Sequence, residues 1–182
     1  LIFVGDSITA GWKREGARVW RRRYARRRAV NLGIGGDETG HVLWRLRHGN
    51  VRGIAPRVAV VLIGVNNAYR RDHAASHIAA GVGRVVAELR RRLPRTRVLL
   101  LAIFPAGERP GRLRRKIAAI NARIARLADD EHVHFLDIGA RFVGKGGRIS
   151  KQIMFDHLHL TERGYRIWAA AMEPTLRRLL RA

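Results

Sequence analysis

Apolar positions along the chain fall into two alternating patterns. Five short runs, Leu1–Val4, Ala29–Leu32, Val58–Ile63, Val98–Ile103 and Val133–Leu136, are dense in aliphatic residues and predict strands. Between them the apolar residues recur at helical spacing, as in Val82, Val85, Val86, Leu89 and Leu93, where Pro94 is the expected stop. Tyr165, Trp168, Met172, Leu176 and Leu179 give the same signature near the end. The run Val58–Ile63 (VAVVLI) does not alternate with polar residues, which suits a parallel strand covered on both faces. A βαβα order with buried strands predicts a three-layer α/β/α domain over residues 1–182. The longest irregular stretch, about Ala140 to Leu160, is where function on such a scaffold is expected.

Composition narrows the chemistry. With 47% hydrophobic residues, 182 residues can bury one full core. No apolar run approaches the roughly 18 residues a membrane span needs. Leu1–Val4 already reads as a core strand, so the chain is expected to begin inside a longer protein; a cytoplasmic location is expected, and secretion stays open. The absence of cysteine excludes thiol nucleophiles, disulfide scaffolds and Cys-based zinc sites. A net charge of +23 implies attraction to anionic surfaces such as nucleic acid, acidic glycans or lipid. Much of that charge decorates solvated helix faces: Arg114, Arg115, Lys116, Arg123 and Arg126 lie off the stripe formed by Leu113, Ile117, Ile120, Ile124 and Leu127.

The first strand runs directly into Gly5-Asp6-Ser7-Ile8-Thr9, placing Ser7 at a strand's carboxyl end, where open parallel sheets bind ligands. Taken alone, Asp6, Ser7 or Thr9 would serve as a helix cap. A nucleophilic serine needs a base, and the base an orienting group; Asp156-His157-Leu158-His159 supplies both, with Asp156 three residues before His159. After the second strand comes Asn31-Leu32-Gly33-Ile34-Gly35-Gly36-Asp37-Glu38. It fails as a dinucleotide fingerprint, because Glu38 occupies the third glycine position and no acid follows about 20 residues on. Such a loop can instead bring the Gly36 N–H to a developing oxyanion. The third strand ends in Gly64-Val65-Asn66-Asn67, where Asn66 offers a further donor or simply makes an Asx turn.

Taken in order, Gly5-Asp6-Ser7, Gly36, Gly64-x-Asn66 and Asp156-x-x-His159 resemble the four sequence blocks of the SGNH/GDSL hydrolases. The longer stretches Asn31–Asp37 (NLGIGGD), His41–Leu46 (HVLWRL) and Met154–Thr161 (MFDHLHLT) resemble the catalytic subunits of platelet-activating-factor acetylhydrolase and their bacterial relatives. The resemblance spans essentially the whole chain and implies a flavodoxin-like five-stranded parallel sheet. It implies Ser7 as nucleophile, His159 as base and Asp156 as orienting carboxylate. The Ser7 and Gly36 amides with the Asn66 side chain would form the oxyanion hole, and no cofactor is needed. The substrate expected is a small ester with a short acyl group, acetyl above all, with Ile8 and Leu158 as candidate pocket walls. The acetylhydrolase subunits pair, so a homodimer is expected too.

Three positions depart from the pattern: Asn67 stands where most SGNH enzymes have Asp, Glu38 where the acetylhydrolases more often have Thr, and His157 in a variable slot. His157 and His159 lack a third partner, so no metal site is expected. Trp44, Trp168 and Phe155 are expected in the core or a pocket wall, and Thr161-Glu162 to open the last helix. The competing expectation is a binding module for anionic polymers on an SGNH scaffold without its chemistry. Against it, every catalytic position is intact and the basic residues are spread over several helices rather than gathered with aromatics.

Overall fold

The computed structural model describes residues 1–181. Five strands, β1 (Ile2–Gly5), β2 (Val30–Asn31), β3 (Val58–Leu62), β4 (Arg97–Leu101) and β5 (Val133–Leu136), form one sheet in the order β2-β1-β3-β4-β5. Every pairing is parallel. All five lie where the apolar runs placed them, within about two residues at each end. β1, β3 and most of β4 are buried along their length, as a sheet covered on both faces requires.

The covering helices are α1 (Ser7–Ala10), α2 (Ala17–Arg23), α3 (Thr39–Arg47), α4 (Val65–Tyr69), α5 (Ala75–Arg92), α6 (Arg112–Ile124) and α7 (Glu162–Arg181). One layer is built from α3, α5 and α6, the other from α2 and α7 with the turn that follows α1. The second layer holds an aromatic cluster in which Phe3 of β1 meets Trp12, Trp20, Tyr24 and Trp168, with ring centroids between 5.0 and 6.3 Å apart. Such edge and tilted contacts each add about 0.5–1.5 kcal/mol to area burial. They hold β1, which leads into Ser7, against the largest side chains of the core.

α5 stops at Arg92, two residues before Pro94, and α7 opens with the Thr161 hydroxyl accepting from Gly164 N at 3.3 Å. Trp168 is fully buried, but Trp44 is 62% exposed and stacks on His48 instead of entering the core. It lies on the solvent side of α3, whose inward positions are taken by Val42 and Leu46.

Two strands begin their outward paths on opposite sides of the sheet at the β1/β3 boundary, and the strand order reverses there. Ligand crevices form at this switch point, at the carboxyl edge. Gly5 closes β1 at that edge. A Cβ built on it would lie 2.2 Å from the Leu62 carbonyl oxygen of β3 and 2.2 Å from Thr9 Oγ1. The Leu62 oxygen cannot retreat without disturbing the β1–β3 ladder. Gly5→Ala is expected to destabilise the fold by at least the 1–3 kcal/mol or so typical of overpacking; an unchanged midpoint in urea would contradict this packing account.

Candidate active site

Ser7 is the first residue of α1 and is half-buried. The cap itself is Asp6, whose Oδ1 accepts from Ile8 N at 3.0 Å, so Ser7 is left free for another purpose. Its Oγ lies 2.9 Å from His159 Nε2, across 152 residues of sequence. His159 Nδ1 in turn lies 2.6 Å from Asp156 Oδ2. A carboxylate only accepts, so the imidazole proton belongs on Nδ1 and Nε2 is free to accept from the serine hydroxyl.

The loop between β5 and α7 presents this pair through a tight hairpin. Met154 and Leu160 form an antiparallel bridge, and Phe155 N donates to the His159 carbonyl at 3.1 Å. His157 turns the chain with φ of 63°, and its ring Nδ1 sits 3.1 Å from the Ile149 carbonyl. Asp156 Oδ1 accepts from Leu158 N at 3.0 Å and His159 N at 2.7 Å, leaving Oδ2 for the imidazole. Burial pushes the Asp156 carboxyl up, but the hydrogen bonds from the His159 ring and from the two amides outweigh it and hold its pKa below the ordinary value. Asp156 is therefore an anion wherever His159 needs one. Phe155 is 46% exposed, its ring stacked 5.9 Å from that of His159 at the site's rim rather than in the core.

The other two blocks converge on the same edge. Asn31, at the end of β2, donates from Nδ2 to the Thr9 carbonyl at 2.9 Å and accepts from Gly33 N at 2.9 Å, tying the glycine loop to α1. Gly36 has φ of +78°, a conformation that glycine adopts without strain, and open space surrounds the place a Cβ would take. Neither the Ser7 nor the Gly36 N–H has an acceptor among the described residues. Asn66, on α4, donates one Nδ2 hydrogen to the Asp37 carbonyl at 2.8 Å, which fixes the amide and leaves its second hydrogen available.

Glu38 does structural work that the sequence did not reveal. It caps α3 in a reciprocal box with His41, accepts from Asn67 Nδ2 at 3.1 Å and from Arg70 Nε at 3.0 Å, and so locks the glycine loop to α4. Asn67 Oδ1 completes the lock by accepting from Thr39 N at 3.0 Å. Leu158 is half-buried beside the triad residues, whereas Ile8 is 1% exposed and part of the core. Ile8, expected as a wall of a tight acyl pocket, is instead packed into the hydrophobic core.

A three-layer α/β/α sheet carrying a serine, a histidine and a carboxylate in hydrogen-bonded series at its carboxyl edge defines the serine ester hydrolases of SGNH type. The sequence profile of the GDSL-like lipase/acylhydrolase family matches residues 3–167. The chain belongs to that family and is a carboxylic ester hydrolase. The human platelet-activating factor acetylhydrolase IB subunit alpha1 is 38% identical over 181 residues, 99% of this chain and 76% of that protein. The rat alpha2 subunit is 39% identical over 166 residues, 91% and 70% of the two chains. A GDSL-like lipase from Bacteroides thetaiotaomicron shares the fold with a TM-score of 0.80 at 24% identity, over 97% of this chain and 87% of that one. A catalytic mutant of an acetylxylan esterase from Geobacillus stearothermophilus gives 0.73 at 18% identity, over 98% and 92%.

Asp6 adds a titration to the site. Its Oδ2 is buried without a partner, and desolvation, opposed by the Ile8 amide and the nearby His159 and reinforced by Asp37, raises its pKa from 3.8 to about 7. The folded chain thus holds a proton that the unfolded chain releases, so this group's stabilisation is complete below pH 3.8 and lost as pH rises to about 7. Asp6→Asn keeps the capping oxygen and cannot titrate. Relative to this variant, the parent is expected to lose stability between about pH 4 and pH 7 in urea titrations, and a pH-independent difference would contradict the assignment.

Proposed function

We propose that the protein hydrolyses small esters with short acyl groups, acetyl above all, through Ser7, His159 and Asp156. The observation that carries this reading is the continuous series from Ser7 Oγ to His159 Nε2 at 2.9 Å and from His159 Nδ1 to Asp156 Oδ2 at 2.6 Å. Ser7 Oγ attacks the ester carbonyl while His159 Nε2 takes its proton. Asp156 stabilises the imidazolium by charge and hydrogen bond without itself becoming protonated. The tetrahedral oxyanion is met by the Ser7 and Gly36 N–H groups and the free hydrogen of Asn66. Its collapse expels the alcohol, which receives the proton from His159. Water, deprotonated by the same imidazole, then attacks the acyl-serine and releases the acid.

Acetyl preference is supported by the acetylhydrolase subunits to which the chain is similar. Leu158 and Phe155 are the apolar side chains that can border an acyl group at the rim.

Asn66→Ala is expected to lower kcat by roughly 100- to 1000-fold, the effect of losing one oxyanion donor. Its thermal midpoint should change little, since the side chain is only half-buried. Wild-type turnover in a folded variant would remove Asn66 from the site. Across a series of p-nitrophenyl esters, kcat/KM is expected to fall steadily from acetate to long acyl chains; faster cleavage of the long chains would overturn the acetyl preference.

A further inference from the structure

Acidic side chains are scarce, 14 against 37 lysines and arginines, and several serve arginines elsewhere on the surface. Glu88 takes Arg91 and Arg92, Glu173 takes Arg27 and Arg177, and Glu162 takes Arg18 and Arg166. One group of cations faces a cavity instead. A cleft of about 630 Å³ opens between the chain after α4 and the first turn of α6. Its floor includes Ala68 and Leu113, and its rim carries Arg71, His73, Arg112, Arg115 and Lys116. No carboxylate lines it, and none of these five side chains makes an ion pair among the described residues.

This arrangement works against helix stability. α6 opens Arg112-Leu113-Arg114-Arg115-Lys116 with no acid in its first turn and no side-chain cap, so the cations crowd the positive end of the helix dipole. Arg112 also stands three and four residues from Arg115 and Lys116, the spacings at which like charges repel. Arg114 has a structural use, donating to the carbonyls of Ala106 and Glu108 and to two glycine carbonyls nearby. Lys116 donates to the Arg70 carbonyl at 2.5 Å. Arg71, Arg112 and Arg115 have no such partner among the described residues.

Tyr69 links the cleft to Asp156. Tyr69 lines it and is 49% exposed. It follows Asn66 by three residues on α4, so the two project from one face of that helix. Its phenol is pushed up in pKa by burial first and by the Asp156 carboxylate second, which puts the triad within electrostatic reach of the cleft's edge.

We propose that this cleft is the subsite for a negatively charged group, carboxylate or phosphate, carried on the substrate, so that the enzyme selects anionic esters over neutral ones of the same shape. The proposal rests on the triad assignment above. An anion between Arg71, Arg112 and Arg115 relieves their repulsion and gains charge-assisted hydrogen bonds over an apolar floor, while the ester reaches Ser7 past Tyr69. The whole-protein field brings such substrates in; the cleft fixes where the charge sits.

The test compares kcat/KM for para-acetoxybenzoate and para-acetoxyphenyl phosphate with that for the neutral para-acetoxybenzamide. The parent, the double variant Arg112→Gln with Arg115→Gln, and the equally charged control Arg21→Gln with Arg26→Gln are measured in parallel. The parent is expected to prefer at least one anionic ester, and the cleft variant to lose about tenfold of that preference, the scale of losing charge-assisted hydrogen bonds, while the control keeps it. The better of the two anionic esters identifies carboxylate or phosphate as the group recognised. No preference in the parent, or an equal loss in both variants, would overturn the subsite, the second result assigning selectivity to net charge alone. Calorimetric binding of the products para-hydroxybenzoate and para-hydroxyphenyl phosphate is read alongside. If no ester is cleaved, the triad assignment fails, and the subsite then stands on about tenfold weaker product binding by the cleft variant than by the control, or falls if the two bind alike.

Discussion

A parallel sheet delivers the carboxyl ends of all its strands to one edge, and in this protein every chemical group of the site hangs from that edge. β1 leads into Ser7, β2 into the glycine loop and β3 into Asn66, and the segment after β5 returns to place His159 2.9 Å from the serine. The constraint is topological before it is chemical. With the order β2-β1-β3-β4-β5, the strands leading to Ser7, to the glycine loop and to Asn66 are immediate neighbours, and only the histidine loop has to travel. That travel costs chain entropy, which the hairpin recovers through its own hydrogen bonds and through α7, whose aromatic side chains pack under β1.

Precision at the edge comes from contacts among the protein's own groups. Gly5 lets β3 and α1 approach within a distance no Cβ would permit, Asn31 straps the glycine loop to α1, and Glu38 with Asn67 straps it to α4. Asp37 joins the same network by accepting from Arg45, both side chains being nearly buried. The amides of Ser7 and Gly36 and the Asn66 side chain are thereby held in place, which is what the proposed oxyanion hole requires of dipoles that stabilise a developing charge without reorganising.

The fold was almost fully legible in the sequence, because buried parallel strands read as unbroken apolar runs and the intervening helices keep one apolar stripe each. The elements of the site were legible as four blocks whose agreement outweighed the capping role that each could have had alone. What the sequence left hidden were matters of direction. Asp6 rather than Ser7 is the cap, which depends on backbone angles at one residue. Ile8 points inward and Trp44 outward, since a single apolar residue in a short helix or on a helix flank carries no sign of its facing. Glu38 stood out in the sequence only as a departure from the acetylhydrolase pattern, and is a cap and tether because His41, Asn67 and Arg70 surround it in space. The basic cleft was hidden for a similar reason: its cations come from two segments some forty residues apart, joined by the packing of α4 and α5 against α6.

The account's central claim is that Ser7, an ordinary capping type of residue at the end of a strand, is the nucleophile. Treatment with a fluorophosphonate followed by intact-mass measurement tests it directly. A single covalent adduct is predicted on the parent protein and none on Ser7→Ala. An adduct that persists in Ser7→Ala, or a parent protein that remains unlabelled, would contradict it.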